Sequence, residues 1–369
     1  MADVTNYIDR LVAELCPDGV EYRPLGELLA YEQPTKYLVS SKDYDESYPT
    51  PVLTAGKTFI LGYTNETEGI YPASEEEPVI IFDDFTTAFK WVEFPFKAKS
   101  SAMKMLTLKS GTNSLFKYVY YAMQCIVYNS SDHARQWISK YSNIEIPVPP
   151  VEIQEAIVEI LDKFTNLEAE LEAELEARTL QYEYYRDSLF EALDCPRVPL
   201  DSFAKIKNGK TYKEFGAGNI PVYGSGGIMT YVDRSSYDKP TVLIPRKGSL
   251  GNLFYLEEPF WNVDTIFYTE IDEEQVIPKF LYYFLKTAHL EDLNTAGGVP
   301  SLTQKVLNKV LIPVPSLEEQ QRIVDILDRF DALTSSLSEG LPAELAARRS
   351  QYEYYRDQLL SFPRKGESQ

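Results

Sequence analysis

The chain has 369 residues, 44% of them hydrophobic and 25% charged, which suits a soluble protein of two or three domains with real cores. It holds no apolar run of the ~18 residues a membrane span needs, and its 3 scattered cysteines and 2 histidines, with no CxxC, argue against a disulfide framework or a zinc site. The net charge of −20 argues, as an average, against a nucleic-acid partner, because phosphate contacts need Lys and Arg.

Residues 1–16 are acidic and amphipathic, unlike the basic then apolar pattern of a secretory signal, and read as a helix packing near the helical spacer described below. Residues 17–150 carry short Val/Ile/Tyr/Phe runs broken by Gly, Pro, Asn and Asp, the pattern of a β-rich domain. An aromatic helix follows at KYVYYAMQ (Lys117 to Gln124), then a proline turn. From IPVPPVEIQEAIVEILDKF (Ile146 to Phe164), residues 151–195 form a long helix. Its apolar positions Ile157, Leu161, Phe164, Leu167, Leu171, Leu175, Tyr182, Tyr185 and Leu189 step mostly by three and four, one stripe on one face. That helix ends in QYEYYRD (Gln181 to Asp187).

Residues 196–315 repeat the first frame: RPLGEL becomes VPLDSF, PVIIFDDFTTAFKWVEFPF becomes PTVLIPRKGSLGNLFYLEEPF, and KYVYYAMQ becomes KFLYYFLK. Residues 316–369 repeat the spacer, from IPVPSLEEQQRIVDILDRF (Ile312 to Phe330) to a second QYEYYRD (Gln351 to Asp357). The proline turns are offset from Ile146 to Ile312 and the heptapeptides from Gln181 to Gln351, so the second copy is 4 residues longer, near SEGLPAEL (Ser338 to Leu345). Four residues is about one helical turn, and Gly340 and Pro342 there interrupt a helix. A stripe on a helix of ~40 residues runs roughly 60 Å, and two such helices in one chain most simply bury their stripes against each other, antiparallel. The fold class expected is α+β: two β-rich domains, 17–150 and 196–315, joined and separated by two long antiparallel helices in a coiled coil, with an internal pseudo-twofold repeat.

Charge is unevenly spread. Residues 151–195 hold 13 acidic and 3 basic residues, half the net negative charge, mainly in LEAELEAELEAR (Leu167 to Arg178), a solvated helix face. Residues 196–315 are neutral, and cations cluster in the loops KAKSSAMK (Lys97 to Lys104), KIKNGKTYK (Lys205 to Lys213) and IPRKGSLGN (Ile244 to Asn252). Such loops suit phosphate and base-edge contacts. Catalytic motifs fail on spacing. GKT at Gly56–Thr58 and at Gly209–Thr211 lacks the upstream P-loop glycine; Pro51 and Ala204 stand there. No acid lies two residues before any lysine, no Asn-Pro-Pro-aromatic motif occurs, and neither histidine has a nucleophile context. The chain carries no chemistry of its own on this reading.

The frame LCPDGVEYRPLGEL, the HARQWISKYSNIEIPVPPVEIQEAIVEILDKF run, and the duplicated IPVP and QYEYYRD segments closely resemble the specificity subunits of type I restriction–modification enzymes, over essentially the full length. The resemblance implies a non-catalytic subunit in which each of two target-recognition domains reads one half of a split DNA site. It also implies helices that set the gap and two modification and two restriction subunits as partners. S-adenosylmethionine, ATP and Mg then belong to those partners and no cofactor to this chain, which is expected in the cytoplasm. Readout is expected at Lys57, Thr86, Thr87, Lys90, Lys99, Ser100, Ser101 and Lys104 in the first domain, and at Ser225, Arg246, Lys247, Ser249, Asn252 and Gln304 in the second. Two identical partners need two equivalent docking surfaces, which are expected at Tyr184 with Arg186 and at Tyr354 with Arg356. Trp91, Trp137 and Trp261 read as core. An acidic DNA-mimic anti-restriction protein is the alternative that the net charge suggests, and the neutral second domain weighs against it.

Overall fold

The computed structural model describes residues 2–56, 58–128, 134–294, 298–334 and 340–366, with side chains from residue 7 onward. The chain divides into two compact units, Met1–Ala169 with Ala347–Gln369, and Glu170–Ala346. The division cuts inside both helical spacers, not at their ends.

The first unit opens with α1 (Ala2–Leu15), β1 (Tyr22–Pro24), α2 (Leu25–Leu28) and β2 (Leu29–Glu32). It continues through β3 (Thr50–Leu53), β4 (Ile60–Thr64), β5 (Val79–Asp83), β6 (Phe89–Val92), β7 (Lys97–Ala98) and β8 (Met103–Leu108) to α3 (Phe116–Gln124) and β9 (Glu145–Pro147). The helix α4 (Val151–Glu191) then starts here and ends in the second unit. That unit holds β10 (Arg197–Pro199), β11 (Ala204–Asn208), β12 (Ile220–Gly224), β13 (Gly227–Val232), β14 (Thr241–Pro245), β15 (Phe254–Leu256), β16 (Trp261–Asn262) and β17 (Ile266–Ile271). After α5 (Pro278–Thr287), α6 (Gln304–Leu307) and β18 (Leu311–Pro313) come α7 (Leu317–Thr334) and α8 (Gly340–Leu359).

The two domains share one topology. The first has a four-stranded sheet ordered β2-β8-β5-β6 and a three-stranded sheet β4-β3-β7; the second has β11-β17-β14-β15 and β13-β12-β16. In both, the strand before the spacer closes the domain's neck by pairing antiparallel with its first strand: β1 with β9, and β10 with β18. The central strands β5 and β14 are buried almost throughout because both faces are covered. Alternate side chains of a strand point to opposite faces. Ile80 and Phe82 therefore join the core with α3 and α4, while Val79 and Ile81 join the core of the smaller sheet. Val242 and Ile244, against Leu243, divide the same way. Strand β4 begins after Thr58 and Phe59, and at the second GKT a Cβ on Gly209 would lie 2.0 Å from the Val263 carbonyl oxygen.

Each spacer helix is fixed to its domain by two repeated clamps. Gln154, fully buried, accepts a hydrogen bond from the Leu115 amide at 2.8 Å and donates to Pro149 O at 2.7 Å. Gln320, also fully buried, accepts from the Ile277 amide at 2.8 Å and donates to Pro315 O at 3.0 Å. Tyr121 donates to Asp162, and Tyr283 donates to Asp328 at 2.6 Å.

The spacers then exchange their heptapeptides. In the first unit Phe164 of α4 stacks on Tyr355 of α8 with centroids 5.7 Å apart, and Glu168 accepts from Arg349 at 2.6 Å. Numbers rise on one helix as they fall on the other, so the pair is antiparallel. In the second unit Phe330 of α7 stacks on Tyr185 of α4 at 5.9 Å and meets Tyr182 at 6.4 Å. The expected second long helix is thus two helices. Gly340 begins α8 at φ +73°, where a Cβ would stand 2.6 Å from the carbonyl oxygens of Ala332 and Leu333. The extra turn and its Gly-x-Pro are spent on this break.

The chain's end returns to its beginning. The Val20 amide donates to Pro363 O at 2.8 Å and the Lys365 amide donates back to Val20 O at 2.9 Å. Helix α1 joins the same core, with Ile8 buried in the cluster that also holds Ile157, Leu161 and Leu360.

Gln154→Ala leaves a buried amide and carbonyls without partners and is expected to cost about 1–3 kcal/mol in denaturant unfolding. Gln321→Ala, on the exposed face of α7, should shift stability by less than ~0.5 kcal/mol.

Candidate nucleic-acid interface

The first domain's candidates gather around one acid. Asp84 is fully buried at the start of the β5–β6 turn. Its amide donates to Ala102 O at 3.0 Å, its carbonyl accepts from the Gln136 amide at 2.8 Å, and its Oδ1 accepts from the Trp137 amide at 2.8 Å. Three loops therefore meet at this residue. One carries Thr86 and Thr87, one carries Ser100 and Ser101, and one follows the aromatic helix.

Thr86, Ser100 and Ser101 are exposed, as is Lys90 on β6. Thr87 is held at φ +59°, a left-handed conformation that a β-branched residue rarely adopts, while the Thr86 hydroxyl donates to Asp83 Oδ1 at 3.0 Å. Lys99 is half-buried and donates to the Tyr44 hydroxyl at 2.8 Å. Lys57 lies outside the described residues.

Lys104 is not a surface reader. Its side chain is wholly buried, Nζ lies 2.9 Å from Asp84 Oδ2, and it donates to Gln33 Oε1 at 3.1 Å. The reason is register: Lys104 pairs with Phe82 in the middle of the four-stranded sheet, so its side chain points into the domain and must find an anion there. Lys97 is buried likewise, 2.6 Å from Glu66, and that contact holds the Glu66 carboxyl below its ordinary range. Two of the three lysines in the KAKSSAMK loop thus lie inside the fold.

In the second domain three candidates meet at Thr265, and Asn252 joins them through Ser225, with its own amide donating to Ser249 O at 3.2 Å. Its hydroxyl accepts from the Ser225 amide at 3.2 Å, and its carbonyl accepts from the amides of Arg246 and Lys247 at 2.8 and 3.2 Å. Asn252 donates to Ser225 O at 3.1 Å. Lys247, Ser249 and Asn252 are exposed, and Arg246 lies half-buried with its guanidinium 5.8 Å from the Phe267 ring. Gln304 stands apart from them in role, since its amide donates to Ile206 O at 3.2 Å and ties α6 to β11. Of the tryptophans, Trp137 is core; Trp91 and Trp261 are half-buried, packed on Phe116 and Phe215.

Two similar loop clusters on two copies of one frame now meet the comparison with known proteins. Residues 17–177 and 194–347 each match the family described as the type I restriction modification DNA specificity domain. The chain belongs to that family. It is 45% identical to the EcoR124I/EcoR124II type I restriction enzyme specificity subunit of Escherichia coli, covering 97% of this chain and 98% of that one. Its fold is similar to the crystal structure of a type I system S subunit from M. genitalium, with TM-score 0.58 at 19% identity over 93% of this chain and 96% of that one. A chain from a study of assembly and conformational transition in the type I system aligns with TM-score 0.56 at 16% identity, again over 93% and 96%.

The heptapeptides of this specificity-family chain divide by residue. Tyr182 and Tyr352 are mostly covered and Tyr185 and Tyr355 stack in the seams, whereas Tyr184 and Tyr354 stand 70% and 59% exposed. Arg186 and Arg356, expected beside them on the surface, have side chains only 12% and 15% exposed. Each folds 5.7 Å over a tyrosine of its own heptapeptide and donates to the next aspartate, so the free part of each surface is the tyrosine. Among the described residues no helix is long and apolar enough to cross a membrane.

Asp84 escaped the sequence reading because an acid counts against a DNA contact. Its only local signal is the Asp-Asp pair ahead of a Thr-Thr turn. Lys104→Ala leaves Asp84 as a buried charge without its cation and is expected to cost about 3–5 kcal/mol in unfolding free energy. Ser101→Ala in the same loop should leave the unfolding transition within ~0.5 kcal/mol of the parent.

Proposed function

We propose that this chain is the DNA-reading subunit of a type I restriction–modification complex, each domain reading one half of a bipartite duplex site. The observation that carries this is the duplication itself: one frame occurs twice with the same strand order, and the loops at equivalent places differ in charge and side chain. A constant frame with changed loops is what two readers of different half-sites need, because base edges are read by side chains on loops or elements that the frame only holds. Exposed Thr86, Lys90, Ser100 and Ser101, with Lys99, serve the first half-site; Ser225, Arg246, Lys247, Ser249 and Asn252 serve the second. Lys57 remains a candidate of the first.

The helical spacers set the gap between half-sites and dock two modification subunits, with Tyr184 and Tyr354 as anchors. Two restriction subunits complete the complex in the cytoplasm. S-adenosylmethionine, ATP and Mg are bound by those partners, and this chain supplies address without chemistry. The acidic run on α4 then faces protein or solvent, which removes the conflict between a net charge of −20 and a DNA ligand.

Exchanging residues 17–150 for those of a relative should change one half of the methylated sequence and leave the other half and the gap intact. Long-read methylation mapping checks this, and both halves altered, or neither, counts against the two-reader assignment. Tyr184→Ala with Tyr354→Ala should weaken assembly with the modification subunit by about 1–2 kcal/mol per site in titration experiments without lowering the melting temperature of the free chain.

A further inference from the structure

The second domain is an internal control for the first. The β5–β8 register places Phe82 opposite Lys104, and the β14–β17 register places Ile244 opposite Phe267, so Asp84 and Arg246 occupy equivalent positions, as do Lys104 and Phe267. The backbone agrees. The Asp84 amide donates to Ala102 O and its carbonyl accepts from the Gln136 amide; the Arg246 amide donates to Thr265 O at 2.8 Å and its carbonyl accepts from the Leu302 amide at 2.8 Å. One node of the frame thus carries an acid over a lysine in one copy and an arginine over a phenylalanine in the other.

The Phe267 arrangement demonstrates that the frame folds without any buried ion pair at this node. A buried pair is costly to desolvate and often no better for stability than an apolar replacement, so folding alone does not call for an ion pair at this node. The pair also leaves capacity unused: Oδ2 of Asp84 lies beside Lys104 Nζ yet receives no well-directed hydrogen bond among the described residues. The third charge at the node is Arg135. Its Nη1 stands 4.0 Å from that same oxygen while its side chain is 51% exposed.

We infer that Arg135 reads a guanine edge in the half-site of the first domain and that Asp84 is its positioning residue, a pairing that does by two residues what Arg246 does alone at the equivalent node. This rests on the two-reader function proposed above. A guanidinium is a planar fork of five donors, and a guanine offers O6 and N7 side by side in the major groove. A carboxylate fixed by the sheet faces one edge of the fork across 4.0 Å and leaves the other for DNA. A phosphate contact depends less on such placement, because a lysine serves there as a point charge.

The test uses the whole chain assembled with its modification subunit, and measures binding and methylation on the mapped site and on duplexes with each base pair replaced in turn. Arg135→Ala and Arg135→Lys are expected to weaken the mapped site by roughly ten- to a hundredfold and to abolish preference at one G·C pair of the first domain's half, with the second half unchanged. Asp84→Asn combined with Lys104→Met removes both buried charges and keeps their shapes. It is expected to relax the same base pair with Arg135 present and the melting temperature retained. Arg135→Lys touches no buried group and keeps the inference testable if the double variant does not fold. Equal weakening of every sequence by Arg135→Ala, or no effect, overturns the base-reading role; a folded double variant with full discrimination overturns the positioning role. If exchange of residues 17–150 moves one half of the site while Arg135→Ala does not relax it, this inference alone fails. If the exchange itself moves nothing, the two-reader function fails.

Discussion

The structure of each unit depends on an exchange of aromatic side chains between helices distant in sequence. Phe164 needs Tyr352 and Tyr355, which belong to the second spacer; Phe330 needs Tyr182 and Tyr185, which belong to the first. A helix with one apolar stripe cannot bury it alone, so each copy of the spacer covers the other copy's stripe. The repeated heptapeptide is therefore first of all a packing element. Its aromatic spacing serves the seam through two tyrosines and leaves the tyrosine between them on the surface.

That exchange gives the two units like seams. In the second unit, α4 runs by covalent chain into β10. In the first, the tail after α8 meets residues 20–22 through non-covalent contacts, with Tyr22 donating to Phe362 O at 2.8 Å and Arg364 lying 4.5 Å over the Tyr22 ring. A short backbone bridge there takes the place of a peptide link. The Gln154 and Gln320 clamps give both spacers the same departure from their domains. Each satisfies a buried amide and carbonyl that a helix beginning after a proline turn would otherwise leave open.

The two copies stop agreeing in their loops. The node at Asp84 and Arg246 keeps its backbone bonds and reverses its charge, and the adjoining loops differ in length and composition. A rigid frame tolerates this because its stability comes from the continuous apolar strands β5 and β14 and the helices over them, leaving loop tips free of core duties. The frame also explains why cation counting in loops overstates the interface: strand alternation sends Lys97 and Lys104 inward, where each needs an acid of its own.

Much of this was legible in the sequence by itself. Duplication exposes itself by self-comparison, period 3.6 marked the long helix, the β-rich frames followed from short apolar runs between turn residues, and Gly340 with Pro342 announced a break in the second spacer. Those features are local, and local sequence carries them. The tertiary structure alone decided which copy each heptapeptide covers, that Lys104 lies inside, that Arg186 and Arg356 fold over their own tyrosines, and that Asp84 joins three loops. Each of these depends on the register of one strand or helix against another far away in the chain. A shift of one residue in such a register turns a reader into a core residue, and nothing in the flanking sequence records the shift.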